Sequence, residues 1–245
     1  MHTHAMKLVL LPGMDGTGTL FSEFTSFLGA DYQITTVSYP SDQCLSYREL
    51  TKLVLPSFPL SDSFVLIAES FSTPLAIHCA SLNPPNLKCM VLCAGFATSP
   101  LRGWKKSLTA FISPLLFRAT LSSFIIRSYL VGSNAPAHLV KAVQAAVSSV
   151  QPDVLRSRLQ SILSCDARAE LSHVNVSILY LHATEDKLVP ARCVDEILTV
   201  RPDAAVVSIH GPHLLIQREP AKTADAVVRF ISQLRQDNRN REYEN

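Results

Sequence analysis

The chain has 245 residues, 47% of them hydrophobic, which suits one substantial core with an insertion better than two independent domains. Its 22 Lys and Arg nearly balance 20 Asp and Glu, leaving a formal net charge of +2 and no overall field to attract nucleic acid or an acidic surface. Six cysteines (Cys44, Cys79, Cys89, Cys93, Cys165 and Cys193) are scattered without a C-x-x-C pair, as expected for reduced thiols and a cytoplasmic location rather than a disulfide framework.

In chain order, residues 7–11 form an apolar run ending at Pro12-Gly13, the pattern of a strand covered on both faces of a parallel sheet. Further strands are predicted over 33–39, 64–68, 88–94, 176–182 and 204–209. Helices are predicted over 20–28, 47–55, 72–82, 189–200 and 220–234, the third stopped by Asn83-Pro84-Pro85. This alternation predicts an α/β fold with a doubly wound, mostly parallel sheet of about six strands. Residues 98–172 break the rhythm: Leu139, Val143 and Val147 recur at four-residue spacing, as do Leu155 and Leu159 before Ile162 and Leu163. Pro136 and Pro152-Asp153 mark helix starts there. The expected organisation is a core over 1–97 and 173–234, an all-helical insertion over 98–172, and a charged, disordered tail over 235–245. The apolar stretch 107–130 is interrupted by Pro114, Arg118 and Arg127, so packed helices are expected rather than a membrane span. The early run 8–11 leads straight into Pro12-Gly13, unlike a signal peptide.

Chemistry is suggested at four strand ends. After the first strand, Pro12-Gly13-Met14-Asp15-Gly16-Thr17-Gly18 is a turn able to aim backbone N–H groups at an oxyanion; it lacks the spacings of a phosphate-cradling loop. After the third, Ala68-Glu69-Ser70-Phe71-Ser72 places a serine at a strand-to-helix turn, with Ala68 and Ser72 where glycines are usual; an ordinary helix N-cap is the alternative. After the fifth, Asp186 is the preferred acid, with Glu185 and a helix N-cap role as alternatives. After the last, His213 in a Gly-Pro turn is the preferred base, with His210 as runner-up. His2 and His4 are too near a terminus for a metal site, and no H-x-x-x-H pattern occurs.

The order Ser70, Asp186, His213 is the nucleophile, acid, base order of α/β hydrolases. On that order, and on the motifs at 10–18, 68–72, 183–190 and 211–213, the chain resembles the α/β-hydrolase superfamily over residues 7–234. It is similar to the small capped carboxylesterases of the pimeloyl-thioester methyl esterase type. It departs from them in having Pro12-Gly13 for the usual His-Gly, and little chain before Lys7 for two N-terminal antiparallel strands, so its first strand is expected at a sheet edge.

The resemblance implies a serine esterase in which Ser70 attacks, His213 is the base, Asp186 orients it, and the backbone N–H groups of Met14 and Phe71 form the oxyanion hole. It implies no cofactor and no metal. The expected partner is a small-molecule ester with a short to medium acyl chain, with no nucleic acid and no stable membrane insertion, the protein being a monomer or homodimer. The insertion is expected to be a cap whose Trp104, Phe111, Leu115, Leu116, Phe117, Phe124 and Tyr129 pack it onto the core and line an acyl pocket. Thioester hydrolysis or acyl transfer would use the same groups, and the Pro-Gly-x-Asp-Gly-Thr-Gly turn also resembles plant acyltransferases related to phytyl ester synthesis. A ligand-binding protein of the same fold is the non-enzymatic alternative.

Overall fold

The computed structural model describes residues 6–101 and 121–243. Six parallel strands form one sheet: β1 Met6–Leu11, β2 Tyr32–Thr36, β3 Phe64–Glu69, β4 Leu87–Cys93, β5 Ser177–Ala183 and β6 Ala205–Ile209. Their order is β2-β1-β3-β4-β5-β6. The chain steps outward from β1 to β2, then returns to the other side of β1 to lay down β3, β4, β5 and β6. The two directions of travel part between β1 and β3, and the loops beyond those strand ends diverge to open a crevice.

Contrary to the expectation of an edge position, β1 is interior, hydrogen-bonded to β2 on one side and β3 on the other. Burial explains the placement. Leu8, Val9, Leu10 and Leu11 are fully buried, whereas β2 carries Gln33, Thr35 and Thr36 and tolerates the solvent of an edge.

Side chains alternate between two cores. Val9, Leu11, Phe64, Leu66, Ala68, Met90, Leu92, Ile178 and Tyr180 face α2 (Tyr47–Val54), α3 (Ser72–Ser81), α6 (Arg168–Ser172) and α7 (Arg192–Val200). Leu8, Leu10, Val65, Ile67, Cys89, Val91, Cys93, Leu179 and Leu181 face α1 (Ser22–Ser26), α8 (Leu215–Arg218) and α9 (Pro220–Tyr243). As the four-residue spacing requires, Cys89 and Cys93 share a face. Helix α9 runs to Tyr243, where disorder was expected from residue 235 onward. Its packed first part, anchored by Ala224, Val227 and Ile231, supplies the nucleus, and a tail without Gly or Pro extends it at low cost.

The insertion leaves the core through an antiparallel bridge, Thr98 to Asp166, flanked by Ser99 N–H donating to the Cys165 carbonyl and Ala167 N–H to that of Ala97. Its described part contains a helical turn at Ser123–Ile125 running into a π-helical segment Ile126–Val131, then α4 Ala137–Ser148 and α5 Pro152–Ser164. Pro136 caps α4 and Pro152 opens α5, as their fixed φ favours. Among the described residues, no helix is long and apolar enough to cross a membrane.

One close approach in the core is decisive for its geometry. Thr73, on the first turn of α3, donates to the Ser70 carbonyl at 2.8 Å and accepts from Phe96 N–H at 3.0 Å, so its side chain cannot turn away. A Cβ at Gly95 would lie 2.6 Å from its Oγ1 and closer still to its methyl. Gly95→Ala is therefore expected to destabilise by roughly 1–3 kcal/mol through overpacking, and Thr73→Ser in the same chain, by removing the methyl, to recover part of the loss. Thermal denaturation of the two variants checks this; a Gly95→Ala melting temperature equal to wild type would refute the packing account.

Candidate active site

Ser70 sits between β3 and α3 at φ 49°, a left-handed conformation that a residue with a Cβ adopts only when its surroundings hold it there. Its N–H donates to the Cys93 carbonyl at 2.9 Å, and its carbonyl accepts from Thr73 N–H and Oγ1–H. These bonds fix the backbone on both sides of the turn, leaving the hydroxyl to project beyond the sheet.

His213 reaches it from the loop after β6. Nε2 lies 2.8 Å from Ser70 Oγ, and Nδ1 lies 2.7 Å from Asp186 Oδ2. A carboxylate only accepts, so Nδ1 carries the proton and Nε2 is left to accept from the serine. Asp186, just past β5, is held by its other oxygen, Oδ1, which accepts from the N–H groups of Leu188 and Val189 at 2.8 and 2.9 Å. It caps that turn and not a helix: α7 begins only at Arg192, later than the predicted start at 189, because residues 186–190 are spent on the turn. The two runner-up residues pair with each other instead. His210 and Glu185 are both exposed and meet at 3.8 Å on the surface, away from Ser70.

Burial shapes the electrostatics. Desolvation lowers the His213 pKa, but the adjacent Asp186 carboxylate, through charge and hydrogen bond, and the nearby Glu69 outweigh it, so the net shift is upward. Glu69, directly before Ser70, is 2% exposed. Burial pushes its carboxyl up to about 7, opposed by the Gln217 amide that donates to Oε2 at 3.1 Å and by His213, and assisted by Asp15.

The two positions where glycines are usual behave differently. Ala68 is fully buried in β3, in register with Leu11 and Leu92, where a methyl group fits. Ser72 forms a tie: its hydroxyl donates to the Pro12 carbonyl and, with its one proton committed, accepts from Tyr39 Oη at 2.7 Å. The glycine-rich turn after β1 is thereby fastened to the serine turn after β3, across the crevice between those strands.

Above these groups lies a cavity of about 310 Å³. Ser70, His213 and Met14 form its floor, and Leu121, Leu130, Val143, Val147, Leu159 and Ile162 of the insertion its roof. Of the apolar residues expected to pack the cap onto the core, some of them lining a pocket, Phe124 and Tyr129 are instead 76% and 47% exposed. The others, Trp104, Phe111, Leu115, Leu116 and Phe117, lie outside the described residues. Among the described residues of the insertion, aliphatic side chains line the cavity, four of them on α4 and α5, whose four-residue spacing marked the helices.

Sequence reasoning missed Arg158, Tyr39, Glu69 and Gln217. Arg158, on α5, is 2% exposed and donates to the carbonyls of Met14, Asp15 and Pro40 at 2.9, 2.8 and 2.9 Å, with its guanidinium 5.7 Å from the centre of the Tyr39 ring. Nothing local distinguishes it from a surface helix arginine. The only available signal lay at Ser72, a hydroxyl where the turn needs just a small residue.

No protein-family model matches the chain. It is 26% identical over 247 residues to a pimeloyl-(acyl-carrier protein) methyl ester esterase of Aromatoleum aromaticum, covering 91% of this chain and 98% of that one. To the enzyme of the same name from Vibrio cholerae it is 25% identical over 211 residues, covering 80% and 82%. The solved structure of a thermophilic esterase from Thermogutta terrifontis matches with a TM-score of 0.79 at 14% identity, covering 94% of this chain and 90% of that one. Six parallel strands in this order, with an Asp-His-Ser relay beyond their ends, give the chain the α/β-hydrolase fold, and its sequence is similar to small esterases with that fold.

Proposed function

We propose that the protein is a serine esterase that cleaves carboxylic esters of short to medium, uncharged acyl chains through an acyl-Ser70 intermediate. The observation that carries this reading is the continuous relay from Asp186 through His213 to Ser70 at the floor of an apolar cavity. His213 Nε2 takes the proton as Ser70 Oγ bonds to the ester carbonyl carbon, and the imidazolium is stabilised by Asp186. The oxyanion is met by the N–H groups of Phe71 and Met14, neither of which donates to any described residue. Collapse passes the proton from Nε2 to the departing alkoxide. Water, deprotonated by His213, then attacks the acyl-serine, and the acid leaves as Ser70 regains its proton.

Residues 98–172 act as the cap. At about 310 Å³ the cavity falls at the small end of the roughly 300–1,000 Å³ typical of ligand sites, which suits a short or medium chain. Among its described lining residues, Asp15 is the one carboxylate and there is no lysine or arginine, so a negatively charged acyl terminus is disfavoured. Thioester hydrolysis uses the same steps with a thiolate leaving group. A cytoplasmic setting agrees with six cysteines, none in a disulfide.

Ser70→Ala is expected to abolish labelling by a fluorophosphonate probe and to lower ester hydrolysis at least ~10³-fold, whereas Asp186→Asn should keep the labelling site but lose roughly 10²- to 10⁴-fold in kcat. A labelled Ser70→Ala protein would rule out the nucleophile. Across p-nitrophenyl esters from acetate to laurate, kcat/KM should pass through a maximum before laurate; a wild type that labels but cleaves none of them would favour acyl transfer or ligand binding. The pH profile offers a separate check. His213 works as a base only when neutral, so activity rises through its elevated pKa; Glu69→Gln removes a neighbouring negative charge and should move the acid limb of kcat/KM to lower pH. The same variant bears on stability. A carboxyl whose folded pKa lies above its unfolded value favours the folded state only while protonated, so the native protein loses stability as pH rises from about 4.5 to about 7. Glu69→Gln should therefore melt higher than wild type at pH 8 and show no such gain at pH 4.

A further inference from the structure

The glycine-rich turn after β1 has every carbonyl from Pro12 to Gly16 occupied. Pro12 accepts from Ser72, Gly13 from Gly16 N–H at 3.0 Å, Met14 and Asp15 from Arg158 Nη1, and Gly16 from Tyr39 N–H at 2.8 Å. In a trans peptide the C=O and the following N–H point opposite ways, so the Arg158 bonds to the Met14 and Asp15 carbonyls orient the N–H groups of Asp15 and Gly16, and Gly16 N–H in turn holds the Gly13 carbonyl, whose own peptide carries Met14 N–H. Two of the five anchors come from one side chain, and that side chain belongs to the insertion. Arg158 also holds Pro40, next to the Tyr39 that completes the chain Tyr39–Ser72–Pro12. The fit is close: a Cβ on Gly16, which is at φ +69°, would lie 2.6 Å from Arg158 Nη1.

We propose that Arg158 is a positioning residue for the oxyanion hole: borne on the cap, it sets the peptide planes of the 13–16 turn so that Met14 N–H faces the carbonyl oxygen of a substrate on Ser70. This rests on the reading of Ser70 as an acylated nucleophile. Among the described residues, the guanidinium hydrogen-bonds to backbone carbonyls and faces an aromatic ring, and it is not one of the residues lining the cavity. Its effect is therefore on the transition state rather than on substrate affinity. A planar fork is needed to reach Met14, Asp15 and Pro40 together; an ammonium group cannot span them. A second tie from the insertion, Leu214 N–H to the Leu130 carbonyl at 2.9 Å, touches the residue after His213. The cap thus braces both the anion-binding turn and the base.

The test compares Arg158→Met, Arg158→Lys and Arg158→Ala with wild type and Ser70→Ala on a p-nitrophenyl ester of the best chain length. Displacing one oxyanion donor by about an ångström should lower kcat roughly 10- to 100-fold with KM changed less than about twofold, in Lys as in Met. Affinity for a trifluoromethyl ketone that forms a tetrahedral adduct on Ser70 should fall in proportion to kcat/KM. Adding millimolar guanidinium should restore part of the Arg158→Ala activity and none of that of Ser70→Ala. Circular dichroism and melting select the variants that fold, and should Met and Ala fail, the Lys variant carries the comparison. A folded variant with kcat within twofold of wild type, or a loss confined to KM, overturns the role of Arg158. Full activity in Ser70→Ala would instead overturn the esterase reading beneath it.

Discussion

The molecule is organised around one unfavourable residue conformation. A non-glycine at φ 49° costs on the order of 1–2 kcal/mol, and Ser70 is kept there by hydrogen bonds to Cys93 at the end of β4 and to Thr73 on the first turn of α3. Thr73 is itself committed: it is locked by Phe96 and pressed against Gly95, which exchanges hydrogen bonds with the hydroxyl of Tyr180 on β5. Three adjacent parallel strands thus cooperate to hold one backbone angle. The strand order then matters, because it sets the serine turn beside the crevice between β1 and β3, where another loop can face it.

That other loop is fixed by a second principle, the requirement that buried backbone polar groups find partners. The turn at 12–16 is too short to satisfy itself. It draws donors from the serine helix, from the backbone after β2 and from α5, three elements distant in sequence. The departure from glycine at Ser72 belongs here as well. A position that in a bare turn needs only smallness has become a hydrogen-bonding junction.

Much of this was legible in the chain. Apolar runs alternating with helical periodicity marked five strands closely, and the linear order of Ser70, Asp186 and His213 at successive strand ends identified the three residues that the structure brings into one relay. The reading failed where the deciding contact is remote or competitive. Composition at 235–243 suggests a solvated coil, yet a helix already nucleated by Ile231 and its neighbours continues through it. The edge position expected for β1 came from counting strands before it, whereas the unbroken burial of Leu8–Leu11 demands two neighbours. Aromatic content suggested which part of the insertion lines the cavity, but Phe124 turns to solvent while aliphatic side chains of α4 and α5 face Ser70. Arg158 could not be foreseen, since its partners are carbonyls, which every residue has.

The neck of the insertion carries a wider implication. Thr98 and Asp166 lie opposite one another in an antiparallel bridge, so the intervening chain begins and ends at one point on the core and can change length without disturbing the sheet. By that measure it is a detachable module. Its side chains say otherwise, because α5 furnishes donors to two carbonyls of a core loop for which the described residues offer no other donor. On the role proposed for Arg158, a remodelled roof over the cavity would have to return a guanidinium to the same place. The range of shapes the cavity could take would then be limited by a contact that lies outside it.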